Sequence, residues 1–323
     1  VWAYYSIRAK SFWFFSSVNP TLAFSGFEGE TKQEMFEQLP KQSYPTTIYV
    51  QPNTSLSEVT KQMKAVGLDF PIAVKPDIGT KGLCFRKIEN EQALQHYHNR
   101  MPVTYLVQNM IEWPFEASVF YVRYPHETSG RVTGFIAKEY LHVVGDGKHS
   151  LQQLIQQHHW AKHFWPELKL RHTANLKQVI PAGEAYLLSQ AGNHNRGARF
   201  INLQHEIDTN LIKVFDAFSL HAKHFFYGRF DVKATSLADL KKGSNLSILE
   251  FNGVGSEPNH IYDCNMSYTA ALKTIVEHWH HMYHIGKLNN KQGVPYMPFI
   301  KGIQLLSQAK AAYKRLEQYD AEC

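Results

Sequence analysis

The chain has 323 residues, 44% of them hydrophobic and 19% charged, a composition that suits a globular protein of one large or two closely joined domains. The formal net charge of +6 suits an anionic ligand such as a nucleotide, but no lysine-arginine block points to nucleic acid. Cys84, Cys264 and Cys323 are far apart and odd in number, which argues against a disulfide framework and for a reducing, cytoplasmic setting.

Residues 1–44 form an aromatic-rich opening segment. The stretch Ser11 to Phe27 is broken by Asn19, Pro20, Gly26 and four serines, so it does not read as a bilayer span, and no secretory leader pattern precedes it. The sequence starts abruptly at Val1, which leaves a missing beginning open. Aromatics interleaved with Arg8 and Lys10 leave two readings of residues 1–15, peripheral membrane contact or packing on the main domain. A short helix opening at Glu30 or Thr31 closes the segment, with Pro40 just past its end.

A strand from Tyr44 to Val50 comes next, then a helix capped by Ser55 or Ser57 that turns Val59, Met63 and Val66 inward. The apolar run Phe70 to Val74 reads as a strand ending on Lys75, followed by a loop with Gly79, Thr80, Lys81 and Gly82. A strand end can present a fixed lysine to phosphate oxygens, while glycines let backbone amides approach them closely. Residues 88–100 read as a helix and Tyr105 to Ile111 as a strand; Trp113 and Pro114 break it, and a new strand begins near Glu116.

Beyond Lys138, the Asp-Gly turn of GDGKHSLQQLI enters an amphipathic helix, with Lys148 and His149 at the surface. Residues 156–171 read as an irregular helical insertion, and Ala185 to Leu188 as a strand. In the polar loop after it, Asn193, Asn195, Arg196 and Arg199 either hold a substrate carboxylate or acyl phosphate or form an ordinary connection. Asp208 to His224 reads as a helix. The helix expected from Met266 to His284 turns Tyr268, Leu272, Ile275 and Trp279 inward. His278, His280, His281 and His284 crowd its end; His280 and His284 have metal-ligand spacing, but no cysteine or carboxylate motif supports a closed zinc site. A linker and a helix from Lys301 to Gln318 follow.

The most informative stretch is Phe226 to His260. Strand alternation places Phe230, Val232, Leu249 and Phe251 on one face and Arg229, Asp231, Glu250 and Asn252 on the other. Two carboxylates and an amide make an all-oxygen set suited to a hard cation, Mg²⁺ or Mn²⁺, with Arg229 placed for phosphoryl oxygens.

Taken in order, the strand with Lys75 and its glycine loop, the strand-break-strand at Gln108 to Glu116, and Arg229-x-Asp231 with Glu250-x-Asn252 resemble the ATP-grasp enzymes, especially the D-alanine:D-alanine ligase branch. GDGKHSLQQLI is similar to a stretch of cyanophycin synthetases and bifunctional glutathione synthetases. The resemblance implies an α+β fold of two subdomains gripping ATP, residues 45–106 and 107–285 with an insertion near 156–205, followed by a linker and helix over 286–323. Residues 1–44 are too short for the Rossmann-like domain of many relatives.

It also implies site roles. Lys75, Gly79, Lys81 and Gly82 would face the phosphates, Gln108, Asn109, Met110 and Ile111 the adenine, and Glu116 the ribose. Lys138 and Arg229 would serve catalysis, Asp231, Glu250 and Asn252 the metal, and Asn193, Arg196 and Arg199 the substrate. The implied activity is ATP-dependent joining of a carboxylate to an amine through an acyl phosphate, on small molecules; a kinase and a nucleotide-binding regulatory module are the alternatives. Homo-oligomerisation is left open.

Overall fold

The computed structural model describes residues 1–79, 82–189, 192–262 and 264–320. Helix α1 (Trp2–Ala9) and two 3₁₀ turns lead to α2 (Lys32–Phe36), whose N-terminus is capped by Thr31. Then come β1 (Thr47–Val50), α3 (Leu56–Ala65), β2 (Ile72–Pro76), β3 (Arg86–Ile88), α4 (Glu91–Arg100) and β4 (Tyr105–Asn109). The strands form an antiparallel sheet in the order β1-β4-β2-β3. Val59, Met63, Leu94 and Tyr97 cover it, packed on Ile48, Ile72 and Val74.

Two sequence expectations shift here. Ile88 belongs to β3, because Asn90 caps α4 by accepting from the Ala93 N–H and so delays the helix start. Val66 lies at the C-cap of α3 and is exposed, since the helix ends one residue before it.

The second sheet is built from β5 (Phe115–Val122) and β6 (Arg131–Glu139) and, after an excursion, three further strands. That excursion holds β7 (His142–Val144), α5 (Leu151–Gln157), α6 (Trp165–Arg171) and β8 (Ala185–Leu187), with β7 and β8 paired as a small separate sheet over its own core of Leu151, Ile155, Leu168 and Ile180. After it, β9 (Arg199–Asn202), α7 (Thr209–His221), β10 (Tyr227–Ala234), α8 (Leu237–Lys242) and β11 (Leu246–Asn252) complete an antiparallel sheet ordered β11-β10-β5-β6-β9. The α+β class expected from the sequence is thus present as two antiparallel sheets with separate helical layers. One face of the second sheet, with Val119, Tyr121, Phe230, Val232 and Phe251, is buried against Leu211 and Phe215 of α7.

Leu249 departs from the expected apolar face. The register pairs Phe230 with Phe251 and Asp231 with Glu250 but then Val232 with Ile248, so Leu249 is the extra residue of a bulge. Ile248 fills the core position and Leu249 turns to the opposite side.

Helix α9 (Tyr268–Lys291) also differs from expectation. Tyr268 and Leu272 are exposed, while His278, Met282, Tyr283, Ile285 and Asn289 are buried. Its buried half packs on the N-terminal aromatics Trp13, Phe14 and Phe15 and on Phe120 and Tyr227 of the second sheet. The four histidines therefore lie within the helix and not at its C-terminus. Burial pulls the His278 and His281 imidazoles down to about 3 and about 4, so they sit there neutral. Residues 1–15 are divided: Trp13, Phe14 and Phe15 are buried, and Val1, Tyr4, Ile7 and Phe12 are exposed. No helix among the described residues is long and apolar enough to cross a membrane. Finally α10 (Phe299–Asp320) returns to the first sheet, burying Leu316 in its core.

Candidate functional site

A cleft of about 680 Å³ separates the two sheets. Pleating explains why its floor is charged. Residues 116, 118, 231 and 233 share the face of the second sheet opposite α7, and the register sets Glu116 beside Lys233 and Ser118 beside Asp231. Lys138 enters from the neighbouring β6.

Lys138 joins these groups. Its Nζ lies 3.3 Å from Glu116 Oε1 and 3.1 Å from Asp231 Oδ1, with all three side chains buried. Arg229 reaches Asp231 Oδ2 at 3.2 Å, and the Ser118 hydroxyl donates to Oδ1 of the same carboxylate. Burial pushes the Asp231 carboxyl up, but Arg229 and Lys138 outweigh it and hold the group well below the usual carboxylate range. Burial likewise opposes the Lys138 ammonium, yet Asp231 and Glu116 keep its proton on more firmly than usual. Glu116 also accepts from the Tyr140 hydroxyl, and a Cβ on Gly192 would stand 2.2 Å from Glu116 Oε1, so a larger residue there would push that carboxylate aside.

Lys75 faces this cluster from β2 of the other sheet and donates to the Leu249 carbonyl, which the bulge exposes, at 3.0 Å. Burial pulls its ammonium down to about 8, although Glu250 opposes the shift. Glu250 itself is 3.7 Å from Lys32, whose Nζ also donates to the Gly79 carbonyl at 3.3 Å. The strand-break-strand is present between β4 and β5, and Gln108, Asn109, Met110 and Ile111 line the cleft. Lys233 donates to the Ile111 carbonyl at 2.9 Å, and the Gln108 amide is turned to the Thr47 hydroxyl.

Most of the sequence-nominated residues meet in this one cleft: Lys75, Gly79, Gly82, Glu116, Lys138, Asn193, Arg229, Asp231, Glu250 and Asn252 line it together with the four residues from 108 to 111. Lys81 lies outside the described residues. Arg196 and Arg199 do not line the cleft. Arg196 is held by Glu167 at 2.5 Å and Asp320 at 2.7 Å, tying the excursion to the end of α10, and Arg199 lies in β9 beside Glu139, its side chain exposed.

The sequence reading missed Glu30, Lys32, Tyr140 and Ser118. Ser118 had a signal, because it shares strand parity with Glu116; Glu30 and Lys32 had none, since a segment far away in sequence brings them in.

Asp231, Glu250 and Asn252 form a donor set of the right chemistry for Mg²⁺. Asp231 and Glu250 are register partners and Asn252 follows two residues on, while one end of its buried amide, Nδ2, makes no hydrogen bond. The amide is needed, since among the described residues no group of three or more His, Cys, Asp or Glu is placed to hold a metal.

No family model matches the sequence, and no curated protein is similar to it. Solved structures with a similar course include a D-alanine–D-alanine ligase from Bacillus anthracis, at 11% identity over 81% of this chain and 69% of that one, TM-score 0.46. Another is a D-Ala:D-Ser ligase from Enterococcus faecalis, at 12% identity over 77% of this chain and 61% of that one, TM-score 0.44. A bifunctional glutathione synthetase from Pasteurella multocida matches at 15% identity over 77% of this chain and 35% of that one, TM-score 0.42. The chain thus spans about three fifths of the D-Ala:D-Ser ligase and about a third of the synthetase. Likeness of this degree is one of outline, and what the site can do follows from its own side chains.

Proposed function

We propose that the cleft binds ATP with Mg²⁺ and that the chain is a carboxylate-amine ligase working through an acyl phosphate. The observation that carries the reading is the convergence of largely buried cations from opposite sheets, Lys75 on one and Lys138 and Arg229 on the other, in one cleft beside Asp231, Glu250 and Asn252. Phosphoryl transfer asks a protein chiefly for positioning and for compensation of the charge on phosphate oxygens.

Lys75 and Lys138 would orient phosphate oxygens, and Arg229 would stabilise the charge on the transferred group. Asp231, Glu250 and Asn252 would hold Mg²⁺, which supplies further charge neutralisation at the phosphates. The backbone from Gln108 to Ile111 would hold adenine and Glu116 the ribose. Gly79 and Gly82, with Lys81 between them in sequence, would face the phosphates, and Asn193 would contact the substrate. Arg196 and Arg199 are left out of this proposal because neither faces the cleft.

The test is thermal unfolding with Mg·ATP, followed by a screen of small carboxylates and amines for ATP-dependent phosphate release. A rise in Tm with ATP that exceeds the rise with GTP, and that Lys75→Ala weakens, is expected. Equal stabilisation by GTP would overturn the adenine assignment. A joined product with one phosphate released per turnover distinguishes a ligase from a kinase, which leaves a stable phosphorylated product.

A further inference from the structure

The end of the cleft beyond Asn252 is walled by the segment after the second 3₁₀ turn. The 3₁₀ turn that leads into it is stitched to the turn following β11: the Val254 N–H donates to the Ser25 carbonyl at 3.1 Å and the Gly255 N–H to the Gly26 carbonyl at 2.8 Å. The approach is close enough that a Cβ on Gly255 would stand 2.2 Å from the Phe27 carbonyl oxygen, and Gly29, at φ +85°, passes beside Ala309 of α10. Glu28 and Glu30 are thereby delivered to the cleft wall, where Tyr313 of α10 also lies.

These two carboxylates are used differently. Glu28 shares the wall with Tyr313, whose hydroxyl its negative charge helps to keep protonated. The Glu30 Oε2 is sequestered from solvent with no hydrogen-bond partner. The nearest cation on the same segment, Lys32, is committed to Glu250 and to the Gly79 and Asp77 carbonyls. Burial pushes the Glu30 carboxyl up to about 7, with Lys32 only partly opposing it. A buried carboxyl oxygen without a donor is costly, and it persists where a ligand supplies the missing donor.

We propose that Glu30 Oε2 receives the ammonium group of the amine substrate, at the end of the cleft beside Glu250, so that the acceptor is a small primary amine. One open oxygen suits a compact ammonium, whereas a guanidinium would ask for two parallel acceptors. The short segment 25–32 thus supplies an acceptor-binding group to the cleft. This inference rests on the ligase reading for the word substrate, but the binding site itself does not depend on turnover.

The experiment measures saturation-transfer NMR signals of three cationic probes, ethanolamine, D-alanine amide and L-alanine amide, on the full chain, each with and without Mg·ATP. Their N-acetyl counterparts are controls, and the Tm shift by Mg·ATP is read on the same samples. At least one amine is expected to bind the wild-type protein, with affinity about tenfold weaker in Glu30→Gln and largely recovered in Glu30→Asp. The N-acetyl compounds are expected to give no signal, and the nucleotide Tm shift is expected to persist in Glu30→Gln.

No amine signal, equal signals from the N-acetyl compounds, or a signal unchanged in Glu30→Gln would overturn the proposal. A missing nucleotide Tm shift in the wild type would instead overturn the ATP reading, and the amine titrations without nucleotide would still decide the role of Glu30.

Discussion

The second sheet shows two fates for one face of the same strands. Toward one end, Glu116, Ser118, Asp231 and Lys233 floor the cleft; toward the other, Phe120, Val122 and Tyr227 lie under α9 and the N-terminal aromatics. The polar end is held by charges that need one another, and the apolar end by burial and by hydrogen bonds that stitch the covering segment on. Asn19 is the main stitch: its Nδ2 donates to the Tyr227 carbonyl at 2.8 Å and its Oδ1 accepts from the Phe226 and Tyr227 N–H groups. One sheet can therefore carry a buried charged site because its other end is anchored as a core.

The two ends differ most at Asp231. Asp231→Asn leaves Lys138 and Arg229 short of a counter-charge inside the protein, so a loss of about 3 kcal/mol in urea unfolding is expected, together with loss of activity. Glu250 is about a third exposed and its one ion pair, to Lys32, is long at 3.7 Å, so Glu250→Gln should leave stability within about 0.5 kcal/mol. In the same variant ATP-dependent phosphate release should fall by roughly 100-fold or more. An unchanged rate in Glu250→Gln would sink the metal assignment.

At the apolar end, Asn19→Ala orphans several buried backbone groups and should cost about 2 kcal/mol. Nucleotide binding by the molecules that remain folded should be unaffected, and a parallel loss would show that the two ends are coupled.

Acid should act on the apolar end through its histidines. Burial lowers His278 to about 3 and both His260 and His281 to about 4. Lowered folded-state values mean that the stability is fully present above the unfolded value near 6.5 and is lost as pH falls through the window down to about 4 and 3. Near-UV circular dichroism between pH 7 and 3 should report that loosening, and His278→Leu should flatten it. The smallest effect concerns Lys75. With its ammonium near 8 in the free protein, nucleotide phosphates should raise it, so binding at pH 8.5 should take up a fraction of a proton and binding at pH 6.5 none. Calorimetry in buffers of different ionisation enthalpy reads this uptake, which Lys75→Met should abolish.

What the sequence determined by itself was local. Strand parity alone put Arg229, Asp231, Glu250 and Asn252 on one face, because side chains alternate whatever the strand packs against. The lysine at the end of an apolar run and the strand broken by Trp113 and Pro114 before Glu116 were legible because composition and proline act locally. Tertiary structure decided whatever depended on a partner from elsewhere in the chain. Leu249 changed sides because a bulge is a property of a strand pair. The buried face of α9 was set by Trp13, Phe14 and Phe15, far away in sequence, which is why its histidines and not Tyr268 and Leu272 are inside. Arg196 was withdrawn from the cleft by Glu167 and Asp320, and Glu30 and Lys32 were brought into it by backbone hydrogen bonds between residues 25–26 and 254–255. Periodicity carries the direction of a side chain relative to its own backbone; only the assembled molecule fixes what stands opposite it.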